Sequence, residues 1–174
     1  MKKLIAKKIV LNQAKASSKL ERKVRAIGAG SRVGIVFNAE EEATRKLMYQ
    51  FKEKLQPLGV DCTFLGFFDA KDFPAGLSFK PGFDYFNRKD LQWHGLPTKE
   101  KVKGFTDIQV DFFIFASLEG SLCLLQLAAA SKAFRIGPFM EGYENCFDFM
   151  IDVQKQADLG SYLSICEHYL KQLK

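Results

Sequence analysis

Polar side chains and glycines follow three apolar runs of the sequence, at positions where an open α/β sheet binds ligands. The six candidates are Asn38, Ser117, Glu119, Gly120, Ser121 and Gly137. In such sheets ligands lie beyond the carboxyl ends of the parallel strands. Gly120 would let the backbone approach a ligand, and Ser121 could donate to a phosphate or cap the following helix. The turn 117–121 is therefore either an anion-binding loop or a tight loop with a serine cap, and the second is the commoner case.

The first strand-to-helix turn argues against a dinucleotide cofactor. After Asn38 the sequence continues with Ala39 and then three consecutive glutamates, at positions 40–42. Three carboxylates at the start of a helix complement its dipole and would repel a phosphate there. The pair Gly28 and Gly30 precedes the first strand, whereas a nucleotide-binding fingerprint follows it. We therefore predict no NAD, FAD or other cofactor.

Catalytic residues cannot be assigned from the remaining polar positions. His94 adjoins Trp93 and could act as an acid or base, but with no partner readable a structural role is favoured. Three aspartates in or beside predicted strands are either an acid–base set or solvated strand ends, and they are Asp61, Asp84 and Asp111. The sequence leaves open whether the protein is an enzyme, and favours a protein without catalytic activity.

Four isolated cysteines indicate a reducing compartment. They are Cys62, Cys123, Cys146 and Cys166. None forms a CxxC pair or has metal-ligand spacing to a histidine, so we predict reduced thiols and no metal site. The N-terminal residues are too interrupted by charges for a secretory signal, and no segment is long enough to span a bilayer. Together these features predict a cytoplasmic protein.

The excess positive charge of the chain lies at one end. The net charge is +6, but residues 1–25 carry nine bases and one acid, so this segment has +8 and the remainder −2. The nine bases are Lys2, Lys3, Lys7, Lys8, Lys15, Lys19, Arg22, Lys23 and Arg25. Such asymmetry indicates an anionic partner, either nucleic acid or a membrane surface. The alternative is a solvated helix face.

Apolar residues interrupt this basic segment at near-helical spacing. Residues 3–26 are predicted to form one helix or two, with Ile5, Ile9, Leu20 and Val24 on an apolar stripe. The stripe must cover the body of the protein, a second copy in a homodimer, or a lipid surface.

A β-α-β unit follows this helix. The apolar run 32–37 is typical of a buried parallel strand. Asn38 and Glu41 have the spacing of a capping box, which predicts a helix over 39–56, and a second strand occupies 60–68. Parallel strands joined by a helix take a right-handed crossover.

The rest of the chain continues the alternation of strands and helices. Residues 69–82 are rich in turn formers and predict an irregular excursion. Further strands are predicted at 83–86, 110–116, 134–136 and 147–153, with helices at 121–131 and 159–173 and a short helix or loop at 97–104. The two longest apolar runs, 32–37 and 110–116, should lie at the centre of the sheet.

The fold class predicted from these elements is a three-layer, Rossmann-like α/β protein. A mostly parallel, twisted sheet would be covered by helices on both faces. The predicted organisation is a basic helical arm over residues 1–27 and a single domain over 28–174.

Two family resemblances accompany this pattern. Residues 32–38, 65–69, 83–97 and 148–153 resemble an uncharacterised family of bacterial Rossmann-like proteins, which implies the fold and no activity. Residues 110–137 are similar to part of the N-terminal half of bacterial heptosyltransferase-type glycosyltransferases. The similarity rests on the strand 112–116, Glu119-Gly120-Ser121, the helix 122–130 and Arg135-Ile136-Gly137. The 174 residues do not include the second domain that binds the sugar nucleotide in those enzymes.

Two function classes remain at this point. The first is a non-catalytic binding module, which recognises a small ligand or a protein and binds an anionic surface through its basic segment. The alternative is a small enzyme acting on a nucleotide or sugar phosphate at the strand ends. A deep polar pocket at those ends would favour the enzyme, and filled strand ends would favour the module.

Overall fold

Six strands form one sheet in the computed structural model, which describes residues 1–154 and 157–172. The strands are β1 (Arg32–Asn38), β2 (Asp61–Phe68), β3 (Phe83–Asn87), β4 (Phe112–Ala116), β5 (Phe134–Pro138) and β6 (Phe149–Ile151). Their order is β3-β2-β1-β4-β5-β6, and every neighbouring pair is parallel. The predicted central position of the first and fourth strands is confirmed.

Five helices cover the two faces of the sheet. They are α1 (Lys2–Ser17), α2 (Glu42–Leu55), α3 (Lys99–Thr106), α4 (Leu122–Ala130) and α5 (Leu159–Gln172), with single 3-10 turns at Gln56–Leu58, Arg88–Asp90 and Glu144–Cys146. One core joins the sheet to α2 and α5, and a second joins it to α1, α3 and α4. Within β1, Ile35 belongs to the first core and Val36 to the second. The three-layer α/β fold is therefore confirmed.

Burial on both faces explains the composition of the central elements. All five residues of β4 are buried, which accounts for its uninterrupted apolar sequence. In α4 every residue from Cys123 to Ala129 is buried. A helix buried around its whole circumference needs neighbours on its flanks as well as a sheet beneath it. Helices α1 and α3, which share its core, supply them.

The first helix is shorter than the sequence predicts. It ends at Ser17 instead of continuing to residue 26. The side chain of Arg22 turns back and donates to the backbone oxygen of Ser17 (2.8 Å) and to its hydroxyl (2.6 Å). This contact satisfies a carbonyl at the end of the helix and fixes the chain reversal there.

The apolar stripe predicted for this segment is also wrong. Helix α1 buries Ala6, Val10 and Ala14, whereas Leu20 is 52% exposed and Val24 40% exposed. The buried residues are small because they pack directly against α4, which itself ends in three alanines.

The helix after β1 does not begin at the predicted cap. Asn38 is the last residue of β1, and α2 begins at Glu42 after Glu41, which makes no side-chain cap bond. The intervening carbonyls of Ala39 and Glu40 accept hydrogen bonds from the Arg45 guanidinium at 2.5 and 2.9 Å. The amide of Asn38 is used elsewhere, at the end of β4.

The remaining elements agree with the predictions except in their bounds. Residues 69–82 contain no helix or strand, as expected. The last strand is three residues long instead of seven. Position 173, predicted to belong to the closing helix, lies outside the described residues.

Candidate functional site

The carboxyl ends of β1 and β4 bring two of the predicted ligand contacts together. Phe37 pairs with Ala116 across the two strands, so the residues that follow them are neighbours. The Asn38 side-chain amide donates to the Ser117 hydroxyl at 3.0 Å. Sequence reasoning therefore located this pair correctly in space, although the sequence could not show that its polar atoms bind each other.

The hydroxyl of Ser117 is fully engaged within its own turn. It donates to the backbone oxygen of Glu119 at 3.0 Å and accepts from the Glu119 amide at 3.2 Å, in addition to the bond from Asn38. Ser121 makes no side-chain cap bond to α4, and its amide donates to the Glu119 oxygen at 2.9 Å. These contacts describe a tight, self-satisfied polar loop, as in the commoner of the two interpretations of this turn, but without the serine cap that it included.

The two glycines of the predicted site have different surroundings. Gly120 is exposed, and a Cβ placed there would meet only Leu125 at 4.0 Å, which leaves room for a ligand. Gly137 is buried in β5, and a Cβ there would lie 2.3 Å from the Phe147 ring. Gly137 thus makes room for an aromatic side chain and does not face an open site.

Five cavities of the described residues lie outside the turns that follow β1 and β4, and one of them, about 300 Å³, adjoins the segment after β2 and the start of α2. The largest, about 740 Å³, adjoins the amino ends of β1 and β4 and includes Arg32 and Asp111. The next, about 530 Å³, lies between α1, α3 and α4. None of the five is lined by the six residues predicted to contact a ligand.

Eight of the nine predicted polyanion-binding residues are available for an external partner. Within the described part of the chain they are exposed and form no ion pair. They are Lys2, Lys3, Lys7, Lys8, Lys15, Lys19, Lys23 and Arg25. Lys7 additionally lies over the Tyr143 ring, with its ammonium 5.5 Å from the ring centroid.

Arg22 is the exception, and the prediction that it binds a polyanion must be corrected. Its side chain is 4% exposed and forms an ion pair with Asp148 at 3.3 Å. Burial lowers the pKa of the Arg22 guanidinium, nearby Arg135 lowers it further, and Asp148 raises it. Arg22 therefore anchors the segment after α1 to the body and contributes nothing to an exposed basic surface.

The outward side of α1 carries a regular sequence of apolar and basic residues. Positions 1, 4, 8, 11 and 15 follow a seven-residue repeat on the side of the helix away from Ala6 and Val10, and all are exposed except Leu11, which is half-buried. They are Met1, Leu4, Lys8, Leu11 and Lys15, which we call the outward stripe. Met1 is 97% exposed and Leu4 72% exposed.

Sequence reasoning missed the residues that line the cavity between α1, α3 and α4. Gln126 lies at its base, Gln13 on α1 contacts it, and Lys99 and Lys103 project from α3. The one available signal was Gln126 itself, the only amide in the apolar run 122–130. A buried polar residue in such a run is more informative than an exposed one.

The cysteines and the metal-ligating side chains define no reactive centre in the described residues. All four cysteines are free and buried, and burial raises the pKa of the Cys123 and Cys166 thiols to about 12. In the same part of the chain no group of three or more His, Cys, Asp or Glu side chains is arranged to hold a metal ion. None of the described helices combines the length and hydropathy that a bilayer crossing requires.

Comparison with known protein families assigns the chain to one of them. A family model matches residues 2–173, almost the whole chain. The chain belongs to DUF6913, a family of unknown function. The matched range includes α1, so the basic helix lies within the family's domain.

The other comparisons leave the second resemblance as it was. No curated protein and no solved structure matches the chain. The similarity of residues 110–137 to heptosyltransferase-type enzymes stays a prediction, and the function of the family is unknown.

Proposed function

We propose that this protein is a non-catalytic binding module that attaches peripherally to an anionic membrane surface through residues 1–25. We further propose that it does so in the cytoplasm, in keeping with its four free, buried thiols. The observation that carries the proposal is the interleaving of unpaired bases with exposed apolar side chains in one segment. Interfacial helices bind by inserting apolar side chains and by attracting anionic headgroups at the same time.

The apolar component distinguishes a lipid surface from a nucleic acid. Among the described residues, five of the eleven exposed large hydrophobic side chains lie within positions 1–24, and they are Met1, Leu4, Ile9, Leu20 and Val24. Nucleic-acid binding relies on phosphate contacts from basic and polar groups and has little use for exposed aliphatic side chains. The same side chains would be a liability on a surface that stays in water.

The attachment of α1 to the body gives this surface a fixed orientation. Because Ala6, Val10 and Ala14 are buried against α4, the outward stripe points away from the sheet. A lysine near an anionic membrane contributes about 1 kcal/mol, and the contribution declines within a Debye length. A few such lysines together with Met1 and Leu4 support reversible binding.

The test is binding of the full chain to phosphatidylcholine vesicles with and without phosphatidylglycerol, at low and at high salt. We expect sedimentation with the anionic vesicles only, weakened by salt. Reversal of two outward charges (Lys8→Glu with Lys15→Glu) should abolish it. Leu4→Ser, which changes no charge, should weaken it measurably. Truncation before residue 28 is unsuitable, because it would uncover the apolar side of α4.

A matched control variant tests whether vesicle binding depends on residues 1–25 or only on the net positive charge of the protein. Lys54 on α2 and Lys71 in the 69–82 excursion are exposed and without an ion pair in the described residues. Lys54→Glu with Lys71→Glu makes the same charge change elsewhere and should leave vesicle binding intact. If Leu4→Ser has no effect and RNA or duplex DNA competes with the vesicles, the segment is a nucleic-acid site and the membrane proposal is wrong.

The alternative, a small enzyme that acts on a nucleotide or sugar phosphate at the carboxyl ends of the strands, has less support. The polar atoms of Ser117 and Asn38 satisfy each other, and the turn 117–121 adjoins none of the five cavities. A rise in melting temperature with a nucleotide or sugar phosphate would favour it, since a bound ligand stabilises the fold by mass action. In that case Gly120→Val should abolish the rise without disturbing the fold, because only Leu125 lies near.

A further inference from the structure

We propose that the groove between α1, α3 and α4 binds an amphipathic anion, a small molecule with an apolar body and one carboxylate or phosphate. The groove has a volume of about 530 Å³. Small-molecule sites span roughly 300–1,000 Å³ and combine apolar walls with a few polar groups. This site is separate from the outward stripe and goes beyond the membrane attachment proposed above.

Aliphatic side chains from four elements form the walls. Ile9 comes from α1, Val102 from α3, Ala130 from α4 and Leu96 from the turn between β3 and α3. Such walls favour an apolar ligand body, because its burial releases water from both surfaces.

The charge at the groove is of one sign. Lys99 and Lys103 lie one helical turn apart on α3, and both are exposed. Neither forms an ion pair with another described residue. The groove lining includes no aspartate or glutamate. An anionic group on the ligand would therefore meet two ammonium groups and no opposing carboxylate.

Gln126 supplies an independent sign that the groove is a ligand site. The residue is 8% exposed, and its amide nitrogen contacts the Gln13 side-chain oxygen. Its own side-chain oxygen has no hydrogen-bond partner among the described residues. If the amide were turned over, its nitrogen would occupy the unpaired position instead. Buried polar atoms are nearly always paired, so a polar group on a ligand is the expected partner.

The test uses soluble probe compounds. Two of them carry both the apolar body and the anionic group of the proposed ligand, and two carry only one of these parts. The full chain is titrated by calorimetry with decanoate and with decyl phosphate, below the concentration at which they aggregate. Decanol lacks the charge, and inorganic phosphate lacks the apolar body. We expect both amphipathic anions to bind at least about tenfold more tightly than either control. No binding of the two anions, or equal binding of all four compounds, would overturn the proposal.

Variants of the groove identify the site. Gln126→Leu should lower the affinity for decyl phosphate about three- to tenfold, with no loss of melting temperature, since it removes an unpaired polar atom. Lys103→Glu should weaken binding of both anions and spare decanol. Val102→Trp should block all binding by filling the groove. Lys54→Glu on α2 and Lys71→Glu in the 69–82 excursion are matched controls, expected to bind like the original protein. Unchanged affinity in the three groove variants would contradict the assignment.

Discussion

Asp148 joins two arginines that come from distant parts of the chain. Its carboxylate receives the Arg135 guanidinium at 2.9 and 3.0 Å and the Arg22 guanidinium at 3.3 Å. Arg135 is fully buried, and its backbone amide also donates to Asp148 at 2.9 Å. Two buried cations share one anion, so the carboxylate is indispensable to both of them.

Replacing Asp148 by alanine should therefore be strongly destabilising. We expect a loss of about 3–5 kcal/mol in the free energy of unfolding, because Arg135 would stay buried with its charge uncompensated. Urea denaturation followed by circular dichroism measures the change. Glu42→Ala removes an ion pair to Lys46 that is 67–69% exposed, and it should have little effect on the free energy of unfolding. Equal losses in the two variants would show that Asp148 makes only a surface contact.

The glycines show what the sequence could and could not predict about the site. Gly120 follows β4 and Gly137 lies near the end of β5, and their positions in the sequence made them equal candidates. Their difference depends on the ring of Phe147, which the chain brings back only through β6. Proximity of this kind is a tertiary fact with no local signal, so the exclusion of Gly137 required the structure.

Helix α1 is an integral part of one layer of the fold. Val10 and Ala14 are fully buried, and the helix packs on α4 and on the 3-10 turn Glu144–Cys146. Its covering of α4 explains why that helix can be apolar around its whole circumference. An element that carries most of the excess charge is thus also structural.

Truncating the buried side of α1 should destabilise the whole protein. Val10→Ala is expected to reduce the free energy of unfolding by about 1.5–3 kcal/mol, because Val10 is fully buried. Leu4→Ala changes a residue that is 72% exposed, and it should stay within about 0.5 kcal/mol. Denaturation curves of both variants provide the measurement. A loss for Leu4→Ala as large as that for Val10→Ala would mean that the outward stripe is covered, for example by a second copy.

How well the sequence predicted each helix or strand depended on how regular its pattern of apolar residues is. The strands were predicted to within a few residues because doubly covered strands are continuous apolar runs. The buried side of α1 was not predicted correctly, because the helix carries apolar residues on more than one side. Its partner selects the small residues Ala6 and Ala14, which a hydrophobicity pattern ranks below Ile5 and Ile9.

The four cysteine thiols of the molecule lie in both hydrophobic cores and in more than one layer of the fold. Cys62 lies in β2, Cys123 in α4 and Cys166 in α5, and Cys146 ends a 3-10 turn against α1. Burial raises the pKa of Cys62 and Cys146 to about 11 from the ordinary 9.0. Raised pKa values throughout the molecule link its stability to alkaline pH.

The protein should lose stability as the pH rises above about 9. Between the thiol pKa of 9.0 in the unfolded chain and about 12 in the folded one, Cys166 releases its proton only on unfolding. The unfolded state then binds fewer protons, so the free energy of unfolding falls, by up to about 1.4 kcal/mol per pH unit for each such thiol. Urea denaturation across this range tests the slope. Cys166→Ala should show a shallower decline, and an unchanged slope would contradict the linkage.

The sequence predicted the two proposed binding surfaces of the molecule only in part. The location of the charge in residues 1–25 could be counted from the sequence, whereas the internal use of Arg22 could not. The groove between α1, α3 and α4 is assembled from four separate segments, and no local pattern joins Ile9 to Val102. A surface that is assembled from distant segments leaves no local signal in the sequence.

The packing of α1 on α4 has a consequence for the order of events during synthesis. Gln13 is synthesised before its contact partner Gln126, which lies 113 residues later in the chain. At about 5–20 residues per second, this delay is roughly 6–20 s on the ribosome. Asp148, the anchor for Arg22, is 126 residues behind its partner and emerges later still. Helix α1 therefore completes its packing only after α4 and Asp148 have been made, and until then the side that carries Val10 and Ala14 is uncovered.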